Sequence, residues 1–591
     1  MRLGVDTGGT FTDAVADDGR VVKVASDPVD PAAAVARAVA AVSGGAAADL
    51  LAHGTTVATN ALLERAGATV ALVATDGFAD IIEIARQARP SLYDQSVDRP
   101  TPLVPRDRRF GVSGRLGPDG RELAAFDGTV PSLPVGVDAV AVCLLHADLD
   151  PAHEQAVAAV IADAVAGCAV VCSHEVSPEF REYERMVTTV VEAYLRPACG
   201  PYLGRIAGLA REVLVMTSAG GLVTVEAAAS ATAALLLSGP AGGVRAAAEV
   251  AVACGFPDAV SFDMGGTSTD VCLIRGGVPE PAPQRVVAGL PIRLPALDVH
   301  TIGAGGGSIA RLDAGGALVV GPRSAGAVPG PACYGRGGTE PTVTDADLVL
   351  GRIPADAAFA DLGRLDGRAA RAALERAGVD AEGVVRVVDA AMERAVRVVT
   401  VERGVDPRTL ALVAFGGAGP LHACAVAEAL DLAAVVVPPR AGVCSASGLL
   451  AAPRAREIVR SYNGEPLAGF RERVAAEARA LVGTGATVET ALDCRYTGQS
   501  HELTVADVAD FPAEHERRNG HARPDAPVEV VAVRARAVAP APGSLADLPV
   551  TERPRVVGPA VVAEPDCTVW VPPGWAAEPG PLGAWVLRRS A

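Results

Sequence analysis

Two copies of one eight-residue stretch carry the residues best suited to chemistry in this chain. The first copy reads Asp6-Thr7-Gly8-Gly9-Thr10-Phe11-Thr12-Asp13, and the second reads Asp263-Met264-Gly265-Gly266-Thr267-Ser268-Thr269-Asp270. Six of the eight positions are identical, and each copy follows a short apolar run. The repeat therefore predicts two equivalent turns, each at the end of a strand.

The residue types in this repeat suit the binding of a polyphosphate. Paired glycines turn the chain sharply and let backbone N–H groups approach an anion without a Cβ atom in the way. Threonine hydroxyls add donors, and an aspartate at each end is placed to hold a hydrated cation or to orient a water. Two such turns, separated by half of a long chain, predict two related lobes that clamp a polyphosphate between them.

Two further loops are candidates for the phosphate and nucleotide site. Three consecutive glycines, Gly305 to Gly307, follow Asp298-Val299-His300, and such a run loses chain entropy unless a close backbone approach requires it. The segment Gly416-Gly417-Ala418-Gly419 lies between an apolar strand and a helix, where backbone could seat a base or a ribose. That second signal is weak alone, because many strand–helix turns contain glycine.

Two histidines have both a functional and a structural interpretation. His53 precedes Gly54-Thr55-Thr56, and hydroxyl groups at a helix start favour an anion or substrate site, although a lone histidine is more often structural. Asp298 and His300 are two residues apart, so both lie on one strand face, which suits metal ligation. A histidine satisfied by its neighbours fits the same pattern.

Length and composition limit the class of protein. The chain has 591 residues, which is too many for one core, so we expect roughly two to four domains. Half of the residues are apolar, which predicts a large α/β core. The formal net charge of −17 argues against a nucleic-acid partner, because a phosphate backbone needs a basic face. Lysine is very scarce beside arginine, a coding bias rather than a functional sign.

The cysteines and the apolar runs indicate a cytoplasmic location. The eleven cysteines form no Cys-x-x-Cys pair, and we expect them to be buried, reduced thiols. The longest uncharged stretch, from Ala227 to Val244, contains Pro240 and is a poor membrane span, so no membrane partner is expected. From about residue 456 alternating segments with glycine and proline dominate, which predicts a mostly β region.

Taken together, the motifs resemble the hydantoinase A / 5-oxoprolinase family, within the actin-like ATPase superfamily. The two copies of the repeat are joined in the same order by His53 to Asn60, Ser173 to Val176, Ser238 to Gly243, His300 to Ser308, Gly330 to Gly335, Ala414 to His422 and Arg495 to Gln499. The sequence departs from the family pattern at Phe110 to Arg115, where Glu-rich sequence is expected, and at Glu192, where asparagine is expected. The chain is also shorter than typical relatives.

The resemblance implies an α/β fold with two actin-like (ribonuclease H-like) lobes and a mostly β C-terminal domain. The expected domains are 1–170, 171–455 and 456–591. It implies ATP-driven opening of a cyclic amide (a hydantoin, 5-oxoproline or another lactam) with Mg²⁺, a possible second divalent metal, and a separate B-type subunit in an oligomer. Two alternatives stay open, which are the ATP-binding subunit of a ketone carboxylase and a non-metabolic actin-like ATPase.

On this interpretation each candidate residue has an expected role. We expect the catalytic carboxylates to be Asp6, Asp13, Asp263 and Asp270. We expect the phosphates to be bound by Thr7, Gly8, Gly9, Thr10, Thr12, Gly265, Gly266, Thr267, Thr269, Gly305 and Gly306, and the adenosine by Gly416, Gly417 and Gly419. We expect substrate contacts from His53, Thr55 and Thr56, and metal ligation by Asp6, Asp263, Asp298 and His300. The phosphoryl acceptor is expected beside the first copy of the repeat.

Overall fold

The structure is a computed structural model that describes residues 1–27, 29–165, 167–356 and 363–590. Two large sheets share one topology. The first sheet has the spatial order Leu222–Thr224, Glu212–Met216, Leu50–Thr55, Arg2–Thr7, Phe11–Ala16, Val21–Ala25. Its first three strands along the chain form an antiparallel meander, and the strands 50–55 and 212–216 then add in parallel beside it. This sheet carries the first copy of the repeat.

The second sheet repeats that arrangement and extends it. Its spatial order is Val278–Pro279, Thr269–Arg275, Ala259–Met264, Ala411–Phe415, Ala434–Val437, Trp585–Arg589, Trp575–Pro579, Val556–Val557, with Val299–Ile302 also paired to Thr269–Arg275. The strands 259–264 and 269–275 form an antiparallel hairpin, and the strands 411–415 and 434–437 add in parallel. The predicted pair of related lobes is therefore present in the strand topology.

Two smaller sheets complete the larger architecture. A fully parallel sheet has the order Ala169–Cys172, Ala139–Cys143, Val70–Thr75, Arg109–Val112. Its two central strands are buried throughout and almost entirely apolar, as expected of a sheet covered on both faces. An antiparallel sheet near the C-terminus has the order Ala455–Ser461, Val528–Val538, Thr487–Tyr496, Leu503–Val505.

The remaining strands form two-stranded ribbons, and helices cover the sheets. The ribbons are Arg115–Leu116 with Glu122–Ala124, Pro281–Ala282 with Ala296–Leu297, Arg285–Val287 with Leu290–Ile292, Ser308–Leu312 with Leu318–Ser324, and Ala560–Ala563 with Thr568–Val571. The helices are Pro31–Ser43, Val57–Leu63, Ile81–Ile84, Ala152–Ala164, Ser173–Val176, Glu182–Ile206, Val225–Ser230, Gly239–Ala253, Val343–Val349, Gly367–Ala377, Ala381–Val399, Gly419–Leu430, Cys444–Ala451, Leu467–Val482 and Phe511–Asn519. No described helix is both long and apolar enough to cross a bilayer.

The sheet order differs from the expected domain limits at two places. The strands 212–216 and 222–224 belong to the first sheet, although they follow the expected boundary at residue 170. The last strands, 575–579 and 585–589, join the second sheet, because Val436 lies opposite Val586 across the ladder. Local patterning marks these segments as strands but does not say which sheet edge they complete. The antiparallel sheet of residues 455–538 also carries two helices.

Two helices built of small residues connect the lobes. The helix Gly239–Ala253 packs against the helix Cys444–Ala451, which in turn lies on the first strand of the chain. A Cβ atom at Gly448 would overlap the carbonyl oxygen of Gly242, and one at Gly4 would overlap that of Ala446. These glycines let the backbones approach closely, so both lobes rest on one tightly packed contact.

We predict that Gly448→Ala destabilises the protein by about 1–3 kcal/mol, the range for overpacking a filled interior. Gly469→Ala is the matched control, because Gly469 lies in the helix Leu467–Val482, is exposed and has no atom near its missing Cβ. We expect the control to match or exceed the wild-type melting temperature, since alanine favours helix over glycine. Equal melting temperatures for Gly448→Ala and the wild type would contradict the close helix contact.

Candidate active site

The two copies of the repeat fold into equivalent β-hairpins. Asp6 lies opposite Asp13 in the first hairpin, and Asp263 lies opposite Asp270 in the second. The turns close alike, because the Gly8 N–H donates to the Phe11 carbonyl at 2.9 Å while the equivalent bond of the second turn, from Gly265 to Ser268, is 3.0 Å. Sequence identity in the repeat therefore corresponds to identity of backbone pairing.

A glycine at the end of the neighbouring parallel strand leaves room for the first aspartate of each hairpin: Gly54 lies within the strand Leu50–Thr55, and Gly416 directly follows the strand Ala411–Phe415. A Cβ atom at Gly54 would lie 2.5 Å from Oδ1 of Asp6. A Cβ atom at Gly416 would overlap Oδ1 of Asp263, and Gly416 also has a positive φ of 79°. Because both glycines leave space at the strand ends, both carboxylates can turn toward the gap between the lobes.

That gap is a cavity of about 820 Å³ lined by both hairpins. The expected site residues that line it are Asp6, Gly8, Gly9, Thr10, Asp13, Thr56, Asp263, Gly265, Gly266, Thr267, Asp270, Gly306, Gly416 and Gly417. The expected site residues outside its wall are Thr7, Thr12, His53, Thr55, Thr269, Asp298, His300, Gly305 and Gly419. The structure thus brings the tips of both turns and all four repeat carboxylates to one space.

The four carboxylates perturb one another in this cavity. Burial and then the charge of Asp13 raise the pKa of Asp6 to about 7, against the charge of Lys23, which lowers it. Burial also raises the pKa of Asp270 to about 6, against a hydrogen bond from Thr301 that lowers it. The pKa of Asp263 lies well above its ordinary value, through burial and then the charges of Asp270, Asp6 and Asp13. Such a cluster favours binding of cations.

The fit to a metal-bound polyphosphate follows from unsatisfied groups at the same place. Oδ1 of Asp6 is buried and has no hydrogen-bond partner among the described residues. Lys23, directly across the strand pair from Asp13, is its cationic partner at 2.7 Å. Carboxylate oxygens are ligands that Mg²⁺ prefers, and the glycine turns leave backbone N–H groups accessible for phosphate oxygens.

The run of three glycines serves a contact between loops. The Gly306 N–H donates to the Gly265 carbonyl at 3.0 Å, and the Gly307 N–H donates to that of Gly266 at 2.6 Å. A Cβ atom at Gly305 would lie 2.8 Å from the Gly265 oxygen. The close backbone approach inferred from the glycines is therefore present, and its partner is the second hairpin. Gly306 and Gly307 also line the cavity.

The helix Gly419–Leu430, which follows Gly416, carries a buried histidine, His422, between two carboxylates. Nδ1 of His422 lies 2.7 Å from Oδ1 of Asp389, and its Nε2 lies 3.2 Å from Oδ2 of Asp347. Burial alone would lower the pKa of His422, but the two carboxylates outweigh it and raise the pKa to about 10. The imidazolium therefore donates from Nδ1 to Asp389, and its charge also attracts the carboxylate of Asp347. Asp347 lines the cavity, and nothing local in the sequence signals this grouping.

Asp347 belongs to the end of the cavity that is lined by apolar side chains. A capping box between Thr342 and Asp345 begins its helix, Val343–Val349. Ile353, Leu365 and Leu421 line the cavity and form one apolar cluster with Leu348, which follows Asp347 in this helix. An apolar wall with one carboxylate suits a flat heterocycle with an attached sugar.

His53 is a structural residue rather than a residue of the cavity wall. The side chain is fully buried, with Nδ1 2.9 Å from the Val5 carbonyl and Nε2 2.5 Å from the Tyr202 hydroxyl. Since a carbonyl can only accept, Nδ1 carries the proton and Nε2 accepts from Tyr202. Burial lowers the pKa of His53 to about 4, so the ring is neutral. Thr56, by contrast, reaches the wall and donates to the Thr7 carbonyl at 3.2 Å.

The expected metal pair of Asp298 and His300 is not brought to the cavity. Asp298 forms an ion pair with Arg403, and the strand Val299–Ile302 runs along the outer side of the second hairpin. The residue of this strand that contacts a carboxylate of the cavity is Thr301, whose hydroxyl donates to Oδ1 of Asp270 at 2.5 Å. The alternation of side chains places Thr301 toward the carboxylate.

One further group has the ligand types of a metal site among the described residues, namely Glu154, Cys172 and His174. Glu154 is fully buried and already accepts from the Leu144 N–H at 2.8 Å, the Ser173 hydroxyl at 2.6 Å and the His174 N–H at 2.9 Å. His174 Nδ1 lies 2.7 Å from the same carboxylate. These bonds satisfy Glu154 within the protein, so the group is a hydrogen-bond centre that ties two loops together.

Comparison with known proteins identifies close relatives. The chain matches the family model described as Hydantoinase/oxoprolinase over residues 185–458, and the model described as Hydantoinase/oxoprolinase N-terminal region over residues 2–165. It is 33% identical to the caprolactamase subunit alpha of Pseudomonas jessenii over 99% of both chains. It is 35% identical to 5-oxoprolinase 1 of Arabidopsis thaliana, covering 76% of this chain and 41% of that protein. The crystal structure of the ATP-dependent caprolactamase from Pseudomonas jessenii superposes with a TM-score of 0.84 at 30% identity, over all of both chains.

We predict that protonation of His53 in the unfolded chain lowers the free energy of unfolding as the pH falls. Its pKa is about 4 in the folded protein against an ordinary value of 6.5, so the unfolded chain takes up a proton first. Stability is then lost as the pH falls from 6.5 to 4, by on the order of 1 kcal/mol per pH unit. His53→Gln lacks this titration, so the gap in melting temperature between the wild type and His53→Gln should narrow from pH 7.5 to pH 4.5.

The control for this experiment is Tyr202→Phe, which removes the hydroxyl partner but retains the imidazole. The difference in melting temperature between Tyr202→Phe and the wild type should change less over the same pH range, because both proteins contain the imidazole. A gap for His53→Gln that stays constant with pH would contradict the neutral, buried histidine.

Proposed function

The chain belongs to the hydantoinase/oxoprolinase family, and from its cavity we propose that it is an ATP-dependent hydrolase that opens a cyclic amide. The observation that carries this proposal is the convergence of two equivalent Asp-x-Gly-Gly hairpins, one from each lobe, on a single cavity. Its relatives named caprolactamase and 5-oxoprolinase act on cyclic amides by name, and one is described as ATP-dependent.

In this proposal the nucleotide lies across both lobes. Backbone N–H groups at Gly9 and Thr10 and at Gly266 and Thr267 hold the phosphate oxygens, and the apolar end beside Asp347 takes the adenosine. Asp6 and Asp263 are the proposed ligands of Mg²⁺, with Gly54 and Gly416 leaving them room. Mg²⁺ would supply charge neutralisation on the phosphates and help to orient them. Asp347, held by His422, is suited to accept from ribose hydroxyls.

The lactam is expected at the polar end of the cavity, beside the first hairpin. That part of the wall contains Phe11, Lys23, Arg440 and Asp566. The Asp566 carboxylate accepts from the Gly442 N–H at 2.7 Å, which fixes its position. Polar groups on a mostly preformed wall would orient a small polar ring.

The cavity residues support a two-step reaction. An amide resists water at neutral pH, so its oxygen first attacks the γ-phosphorus while the bond from that phosphorus to the bridging oxygen breaks and ADP leaves. Hydrolysis then uses two waters. The first adds to the ring carbon, and the ring nitrogen takes up a proton and leaves, so that the carbon remains as an acyl phosphate. The second adds to the same carbon, and phosphate leaves with the former amide oxygen. Asp13 and Asp270 are proposed to orient the reacting groups and to accept the proton of water. Positioning and charge balance do most of this work.

A partner subunit is part of the proposal. One relative is named as subunit alpha, and this chain spans 99% of that protein. We propose that a B-type subunit supplies the rest of the lactam site, and that the two chains form the working complex in a reducing cytoplasm. All eleven cysteines are described residues and all are free thiols, in keeping with that compartment.

We predict that lactams stimulate ADP formation, and that Asp263→Asn lowers the stimulated rate at least about 100-fold, since the loss of one charge-stabilising group typically has this size. Asp298→Asn is the matched control, because Asp298 lies outside the cavity and pairs with Arg403. It should retain the wild-type rate. The measurement is coupled ADP release by the full chain, with and without its partner subunit, across lactams, hydantoins, 5-oxoproline and ketones with bicarbonate.

Two results would contradict the proposal. If no lactam or hydantoin stimulates ADP formation while a ketone with bicarbonate does, the chain serves a carboxylase. If Asp298→Asn loses as much activity as Asp263→Asn, the carboxylate of Asp298 contributes to the site despite its position.

A further inference from the structure

Lys23 is the only lysine in the chain. The sequence has 52 lysine and arginine residues in total, and the other 51 are arginine. Of these 52, three line the cavity, namely Lys23, Arg440 and Arg553. A single lysine placed at random among the basic positions would fall on the cavity wall in three of 52 cases, or about 6%. Against the general coding bias toward arginine, the one lysine of the chain lies on the wall of the proposed active site.

The position of Lys23 relates it to the carboxylates of both lobes. It lies in the strand Val21–Ala25, directly opposite Asp13, with its Nζ 2.7 Å from the carboxylate and over the ring of Phe11 at 5.2 Å. Its positive charge lowers the pKa of Asp6 in the first hairpin and of Asp263 in the second, against the burial that raises both. The ammonium group is thus within electrostatic reach of both proposed phosphate turns.

A purely structural role does not explain the choice of lysine. A cross-strand pair with Asp13 contributes modestly to stability, and arginine would make it at least as well through two parallel hydrogen bonds. Every other side-chain ion pair to a non-histidine base among the described residues uses arginine. What lysine offers instead is a compact ammonium with three donors on a flexible stem.

We propose that Lys23 is a catalytic residue that leaves Asp13 and contacts the phosphoryl group as it passes from ATP to the lactam oxygen. A planar guanidinium would stay locked on both oxygens of Asp13, whereas an ammonium can exchange one acceptor for another. The exchange also frees the Asp13 carboxylate at the moment when a group is needed to orient water. This inference rests on the proposed function, because it assigns a residue to that reaction.

The first test uses an acyl-phosphate derivative of ATP, which carries a carboxylic acyl group on its terminal phosphate. An amine close to that phosphate attacks the acyl carbon, the carbon–oxygen bond to phosphate breaks, ATP leaves, and the nitrogen loses a proton to solvent as the amide forms. We expect mass spectrometry to find acylated Lys23, with labelling prevented by excess ATP. The α-amine of Met1 pairs with Asp49 at the surface and is the internal control, so any slow labelling there should not respond to ATP.

The second test compares substitutions at position 23. Lys23→Arg should lower kcat for lactam-stimulated ADP formation about 100-fold, with KM for ATP and the melting temperature nearly unchanged, because the pair with Asp13 survives. Lys23→Met should lose at least as much. Arg37→Lys is the control for this type of exchange, since Arg37 is outside the cavity and donates to the Ala25 carbonyl of the same strand. It should keep the wild-type kcat.

The outcomes separate the two levels of the proposal. Wild-type kcat in Lys23→Arg would overturn the catalytic role and leave a cross-strand ion pair. ATP hydrolysis without acylation of Lys23 would overturn its place beside the terminal phosphate, while the proposed function would stand. If ATP is neither hydrolysed nor able to protect Lys23, both the function and the role of Lys23 are overturned.

Discussion

The structure depends on the meeting of four carboxylates in one partly buried cavity. Asp6, Asp13, Asp263 and Asp270 come from two hairpins more than 200 residues apart in sequence, and their mutual repulsion is compensated within the chain mainly by Lys23. Burial makes each negative charge unfavourable, so the cavity has a strong preference for added positive charge. A magnesium-bound nucleotide brings that charge together with a polyphosphate that the glycine turns can hold.

The rest of the fold keeps those hairpins in place. Both sheets have the same strand order around the hairpin, and a glycine at the end of the next parallel strand leaves space for the first aspartate in each. The helices that contain Gly242 and Gly448 press the lobes together. A cavity between two lobes suits an enzyme that must admit a nucleotide and then exclude water.

The sequence was sufficient to predict the features that are local. An eight-residue repeat implies equal hairpins, and the family resemblance implies both lobes. It was insufficient where a partner lies far along the chain. His53 forms a hydrogen bond with Tyr202, and Asp298 forms an ion pair with Arg403. The strand 585–589 joins the sheet that contains the strand 259–264. Short-range periodicity encodes none of these pairings. The three glycines at 305–307 predict a close approach of another group to this backbone, and the structure shows that the group is the backbone of the second hairpin.

If the amide oxygen itself receives the phosphoryl group, that oxygen must leave in the released phosphate, and oxygen tracing measures whether it does. The lactam that best stimulates ADP formation would be prepared with ¹⁸O in its carbonyl group and turned over by the chain with its partner subunit. Mass spectrometry of the released phosphate should find one ¹⁸O atom per turnover, because phosphate leaves with the former amide oxygen. If the ¹⁸O stays in the carboxylate of the opened ring and the phosphate gains its oxygen from water, ATP hydrolysis only drives a conformational change and the account is contradicted.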